Sequence, residues 1–487
     1  MMMRSTGVLM PVSSLPSPHG IGTLGKDAER FIDFLAESGM TYWQILPLGP
    51  TGYGNSPYAP VSSYAGNPYF IDLDELVEEG LLTEEEVKGV DFGKNASKVD
   101  YGKLYNNRYT VLKKACDRLC AVHPEEYLSF LREQSGWLKD YAVFMAVKND
   151  RNGEPWMKWP EELRNPHNEA FRKEGERLSS AVVFQERMQY LFYRQLKHIK
   201  EYAKASGIQI IGDLPFYCAE DSVDVFAAQE QFDLKYTAGM PDGQKWGSPV
   251  FNWDVMRNQG YRWWIDRVKF QMQFSDVVRV DHFQGYDSFY AIEKEGDQGS
   301  WRQGPGLELF KRLEQEAGWH QLILEDLGVL TDSLKNLVKE SGFPGMRILQ
   351  YAFDPNDPGS YYMPFQYEKN TVVYTGTHDN MTLGEWMKKE PARVERASAY
   401  LNSDARHLPE SMIKCALGSP ADLAVIPMAD LLGLKEEGRI NDPAGSDNWT
   451  FRVKPGVLTE ELASKLKEWN LLYCRNNWNA SVQVVKK

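Results

Sequence analysis

The sequence predicts an α/β fold, a closed (β/α)8 TIM barrel carrying a large, mainly helical insertion. Three observations carry that expectation. Short β-branched apolar runs recur along the chain, each followed by a helical pattern. Acidic residues stand at the C-terminal ends of several of these runs. One stretch, at about residues 75–205, is rich in Glu, Lys, Tyr and Leu and interrupts the strand rhythm with helical sequence.

Taken in order, the runs are Thr41–Leu46, Ile208–Ile211, Val277–Val280, Gln321–Leu324, Met346–Leu349, Thr371–Tyr374 and Leu423–Ile426. Their brevity and near-continuous apolarity fit parallel strands covered on both faces. After the apolar N-terminal stretch, Asp27 is positioned to cap a helix with Ala28, Phe31 and Leu35 on one stripe. Gly39 is positioned to end it in the left-handed conformation. Leu307–Ala317 repeats the helical pattern before the run at 321. A length prior of roughly 150 residues per domain would divide 487 residues into about three domains. A barrel of roughly 250 residues grown by insertion takes in the same length, so residues 1–487 are read as one elaborated barrel.

The composition, 42% hydrophobic and 25% charged, is that of an ordinary globular protein, and the net charge of −13 opposes phosphate backbones. No nucleic-acid partner is therefore expected. No run approaches the ~18 apolar residues of a membrane span, and the N-terminal stretch lacks an apolar signal core. A cytoplasmic location without membrane contact is the expectation. The five cysteines, Cys116, Cys120, Cys218, Cys415 and Cys474, are odd in number and scattered, which fits buried free thiols better than a disulfide framework or a zinc site.

Gly20–Gly25 matches the GxGxxG pattern, but Pro16 and Pro18 separate it from the preceding apolar run, and Gln44-Ile45 stands where a ribose-binding acid belongs. It is read as a glycine-rich turn, and no cofactor is expected. The informative residues are Asp213, Asp281, Glu325 and Asp379, each at or just past a strand end. In a barrel those ends open onto one face, so four acids distant in sequence can share a pocket. Arg279 and Asp281 are two apart on a strand and face the same way. A guanidinium there favours an ionised Asp281, or makes a structural ion pair. Glu325 follows Ile323 and Leu324, and a desolvated Glu keeps its proton. One ionised and one protonated acid are the requirements for a nucleophile and a general acid. Tyr53, Tyr58, Trp246 and Trp253 lie beside Gly, Pro and Asn in loops, suited to stacking on the C–H faces of sugar rings.

At these residues the chain resembles the amylomaltase, or disproportionating-enzyme, family of 4-α-glucanotransferases nearly end to end. The strings that carry the resemblance are Trp43–Tyr58, Gly212–Tyr217, Arg279–Phe283, Leu324–Gly328, Gly376–Asn380, Ile426–Leu434 and Asn448–Arg452. The resemblance implies a retaining transfer of α-1,4-glucan segments between donor and acceptor sugars. It assigns Asp281 as nucleophile, Glu325 as acid/base and Asp379 as transition-state stabiliser. It implies substrate contacts from Ser56, Tyr58, Asp213, Gln244, Trp246, Arg279, His282, His378, Asn380 and Asn448, with no metal. The chain departs from the family in a shortened segment, Ala238–Gly247, and at Cys218, Phe226, Gln284 and Ala429. Other readings of the same residues are an α-glucan hydrolase, a non-catalytic glucan-binding barrel, and a metal-dependent barrel hydrolase using Asp281-His282, Glu325-Asp326 and His378-Asp379.

Overall fold

The structure, a computed structural model, describes residues 4–296, 298–318, 321–328 and 330–480. Residues 1–3, the head of the stretch read as lacking a signal core, lie outside them. Twelve strands occur among the described residues: β1 (Ser5–Leu9), β2 (Tyr42–Gln44), β3 (Gln209–Leu214), β4 (Phe232–Gly239), β5 (Lys245–Phe251), β6 (Val277–Val280), β7 (Ser288–Glu293), β8 (Gly299–Gln303), β9 (Leu322–Leu324), β10 (Gly345–Ile348), β11 (Thr371–Tyr374) and β12 (Leu423–Pro427). Eight of them close a barrel in the order β1-β12-β11-β10-β9-β6-β3-β2. Every pairing in it is parallel.

All seven runs read from the sequence enter this barrel. The eighth strand is β1, so Tyr42–Gln44 is the second strand and not the first. β1 is buried along its whole length and pairs β12 from Ser5↔Leu423 to Leu9↔Pro427. Gly7 is required there, since a Cβ at this position would meet Tyr42 Cβ at 2.8 Å. The buried Arg475 fastens the seam by donating to the carbonyls of Ser5, Leu417, Ala421 and Asp422.

Between β2 and β3 the chain is helical, including Leu73–Glu78, Tyr101–Val122, Leu138–Asp150 and the long Ser179–Ala205. The helix after β1 spans Lys26–Glu37. Its N-cap is Gly25, and Asp27 lies in the first turn, paired with Arg30 at 3.0 Å, so Asp27 is not the cap. Gly39 follows its end with φ 69°. The sequence did not reveal the second sheet, an antiparallel β5-β4-β7-β8 built from the connections that follow β3 and β6. Its β4–β5 connection carries the shortened segment, whose Trp246 packs on His282 just past β6.

One smaller expectation is corrected. Cys116 is buried, but Cys120 and Cys474 are exposed, so the thiols are not uniformly interior. The glycines of Gly20–Gly25 face protein: a Cβ on Gly20, Gly22 or Gly25 would strike Phe92, Val12 or Asp72 at 2.1, 1.9 and 2.3 Å. That packing leaves no room for a pyrophosphate. Among the described residues no helix is long and apolar enough to cross a membrane.

Candidate active site

The site lies at the C-terminal ends of the barrel strands, where backbone geometry delivers the acids. Asp213 is the penultimate residue of β3, and in register it is the partner of Arg279 on β6. Both side chains point inward and are buried. One Arg279 terminal nitrogen donates to both Asp213 oxygens at 2.8 and 2.9 Å and to Asp281 Oδ1 at 3.0 Å. The sequence pairs Arg279 with Asp281 alone; the fold shares it between two carboxylates. Asp213 also accepts from the Tyr58 hydroxyl at 2.7 Å. Burial pushes the Asp213 carboxyl up, against the pull of Arg279. Burial and then the Asp213 charge hold the Tyr58 hydroxyl far above its ordinary pKa, so it stays a donor.

Asp281 is the first residue past β6 and keeps part of its side chain open to the cleft. The next residue, His282, has φ 46°. A left-handed non-glycine residue carries a cost of roughly 1–3 kcal/mol. Here that turn aims the His282 N–H at Glu325 Oε2, 2.7 Å away. Leu327 N–H reaches Glu325 Oε1 at 3.0 Å. Glu325, just past β9, has its pKa pushed up to about 8 by burial. Arg279 opposes that rise, the charge of Asp281 adds to it, and the two N–H donors oppose it. Burial also lowers the His282 imidazole pKa against the Asp281 charge, which leaves it neutral.

Asp379 follows β11 and is exposed to the cleft. It accepts from Asn441 Nδ2 at 2.6 Å and lies 3.3 Å from His378 Nε2. Partial desolvation within the cleft works against ionisation, but His378 and the Asn441 bond outweigh it and hold the carboxyl well below the usual range. The Tyr58 and His378 rings stack at 4.9 Å, with Trp449 beside both at 5.9 and 6.0 Å. The groups thus form one connected chain, from Glu325 through the 281–282 turn, Arg279, Asp213, Tyr58 and His378 to Asp379.

The remaining candidates divide. Trp246, on β5, stands edge-on to His282 at 5.2 Å and to Tyr217 at 5.8 Å, which puts an exposed indole at the rim. Ser56 accepts from Tyr58 N–H at 3.2 Å and shapes that loop. Asn380 accepts from Thr377 and donates to the Tyr351 hydroxyl at 2.8 Å. The other three candidates are held by the protein itself or stand at the surface. Asp213 has a fully buried side chain, engaged by Arg279 and Tyr58. Asn448 uses its amide on the 442–445 turn, accepting from Asp442 N–H and donating to the carbonyls of Asp442 and Gly445. Gln244 is an exposed residue of the hairpin turn, its carbonyl accepting from Met240 N–H.

Sequence reasoning did not single out Asn441, Trp449, Tyr351 or Tyr217. Asn441 could have been suspected from its position seven residues before Asn448; the others are ring contacts that only the fold creates. Asp326 differs from its neighbour Glu325, because its carboxylate is engaged by Met346 N–H at 2.7 Å and Arg347 at 3.3 Å. Among the described residues no group of three or more His, Cys, Asp or Glu side chains is placed to hold a metal ion.

Comparison with known proteins points to one family. A 4-alpha-glucanotransferase of Clostridium butyricum is 38% identical over 96% of this chain and all of that protein. One from Streptococcus pneumoniae is 39% identical over 98% of each. An amylomaltase from Streptococcus agalactiae, solved in complex with acarbose, superposes with a TM-score of 0.94 at 34% identity, over 97% of this chain and 100% of that one. The family model described as 4-alpha-glucanotransferase matches residues 10–459, and the chain belongs to that family.

Proposed function

We propose that this chain is a 4-α-glucanotransferase that passes α-1,4-glucan segments from a donor maltooligosaccharide or starch chain to the 4-hydroxyl of an acceptor glucan or glucose. The observation that carries the reading is the split between two neighbouring carboxyls. Asp281 sits beside a guanidinium and is open to the cleft, while Glu325 is buried with a pKa of about 8. Such a pair supplies a nucleophile and a proton donor at neutral pH.

In the first step Asp281 attacks the anomeric carbon as Glu325 gives its proton to the departing glycosidic oxygen. A β-linked glucosyl ester forms on Asp281. Glu325, now ionised, takes the proton of the acceptor 4-hydroxyl. That oxygen attacks the anomeric carbon, the ester bond breaks, and the α-linkage returns. Arg279 holds Asp281 in place, with Asp213 fixing Arg279 from below. Asp379, charged and oriented by His378 and Asn441, faces the oxocarbenium-like ring. Tyr58 and His378 offer the stacking surface.

Transfer must defeat hydrolysis. Water is present at ~55 M, and a glucan acceptor at ~10 mM starts behind by a factor of ~5,000, about 5 kcal/mol of positioning advantage. Trp246 at the rim, with its Tyr217 and His282 backing, is where acceptor stacking would supply part of it. The short Met240–Gln244 turn precedes it on the same hairpin. Residues 1–487 act as one elaborated cytoplasmic catalytic unit, with about 75–205 as a helical insertion and α-glucans as partners, and the chemistry needs no metal or organic cofactor. Incubation with maltotriose tests it: glucose plus a ladder of longer oligosaccharides is expected. Shorter sugars alone would make the protein a hydrolase, and unchanged maltotriose would leave binding only.

A further inference from the structure

Away from the cleft, a cavity of about 820 Å3 lies between the loop after β1, the start of the Lys26–Glu37 helix, residues 93–96 and the segment after Trp449. It is large enough for a small-molecule ligand. Its charged lining is Arg30, Lys94 and Arg452 against a single acid, Asp27. Asp27 is already taken by Arg30 at 3.0 Å. In a protein of net charge −13 this is a local excess of positive charge.

Arg452 is the decisive residue. Only 3% of it is exposed. One terminal nitrogen donates to the Ser17 carbonyl at 2.6 Å, and Nε has no acceptor among the described residues. No ion pair to Arg452 is formed among them either. A buried guanidinium without a carboxylate is costly unless carbonyls take up its donors, as they do for Arg475; Arg452 has one such carbonyl, which leaves donors for an anion. Burial lowers its pKa to about 10, with Asp27 the one acid that opposes the shift. Pro16, Pro18 and Pro455 stiffen the walls. Arg452 also belongs to the segment that carries Trp449, so the cavity is joined through the backbone to the Tyr58–His378 stack.

We propose that this cavity binds a phosphate monoester, with Arg452 and Lys94 taking the phosphate and the remaining volume taking a sugar-sized group. Planar guanidinium donors suit phosphate oxygens, and Lys94 adds a mobile charge at the exposed side. A free phosphate ion shares this chemistry but would fill only a small part of the space. The site is separate from the glucan cleft and does not depend on the transfer reaction.

Calorimetric titration of the full-length protein with glucose 6-phosphate, inorganic phosphate and glucose, at constant ionic strength, tests the site. Saturable binding of the ester is expected, with K94E and R452Q each weakening it about tenfold or more. Tighter binding of the ester than of phosphate identifies a sugar phosphate as occupant; equal binding identifies the free ion. Lys94 is exposed, so K94E decides the matter even where R452Q fails to fold. Absence of saturable binding by either phosphate compound, or affinity unchanged in K94E, overturns the proposal.

Discussion

The proton on Glu325 gives the sharpest test of the mechanism, and pH is the perturbation. The carboxyl is buried and titrates at about 8, with the Asp281 charge adding to burial and with Arg279 and the N–H groups of His282 and Leu327 pulling the other way. The free enzyme must hold this proton to expel a glucan leaving group. The value of kcat/KM for maltotriose should therefore stay level up to about pH 8 and then fall about tenfold for each further pH unit. At pH 10 the protonated fraction is about one hundredth, a loss of about 2.7 kcal/mol of transition-state stabilisation. An α-maltotriosyl fluoride donor separates this cause from general alkaline damage, because fluoride leaves without a proton. Its first step should lack the alkaline limb and should persist in E325Q. The assay is initial fluoride or glucose release against pH, with stability at each pH checked by refolding to pH 7. An identical alkaline limb for both donors, or a maltotriose limb near pH 5, would refute the assignment of Glu325 as the acid.

Three further outcomes follow from the same contacts. Between the ordinary Glu value near 4.3 and about 8, the folded state holds one proton more than the unfolded state. Glu325 should therefore make stability fall by about 1.4 kcal/mol per pH unit as pH rises through that window; urea denaturation at pH 5.5 and 7.5 should show E325Q lacking this slope, and parallel slopes would contradict a buried, protonated carboxyl. Removing the shared guanidinium with R279M leaves Asp213 buried and Asp281 unsupported, which should cost about 3–5 kcal/mol in denaturant unfolding, whereas a change under about 1 kcal/mol would mean the network adds little. W246A removes the exposed indole against His282 and Tyr217 and should raise the acceptor KM about tenfold and increase the free glucose share at fixed maltotriose; an unchanged ratio of transfer to hydrolysis would move the acceptor platform elsewhere.

What the sequence revealed and what it hid have separate physical causes. Strands buried on both faces leave short, mostly apolar runs, and for that reason β2, β3, β6, β9, β10, β11 and β12 were readable. β1 was not, because its five residues, Ser-Thr-Gly-Val-Leu, begin polar and contain the glycine that its neighbour Tyr42 demands. The antiparallel β5-β4-β7-β8 sheet was hidden because it assembles from two separate connections, and pairing across such a distance leaves no local period. Among the acids, strand-end position exposed Asp213, Asp281 and Glu325 together, yet position alone does not divide their roles. Asp213 and Glu325 are both buried, but one meets Arg279 and Tyr58 and the other meets two backbone N–H groups. Asn441 and Asn448 show the same limit. Both are asparagines near the last barrel strand, and only folding turns one onto Asp379 and the other onto its own loop.

The Asp281–Glu325 division of labour is tested most directly by trapping the intermediate. E325Q incubated with α-maltotriosyl fluoride, without acceptor, should accumulate a covalent adduct, because the second step lacks its base. Peptide mass spectrometry of the quenched protein should place the maltotriosyl mass on the peptide bearing Asp281, and the double variant E325Q with D281N should carry none. Label on Asp213 or Asp379, or an adduct that survives in the D281N background, would contradict the account.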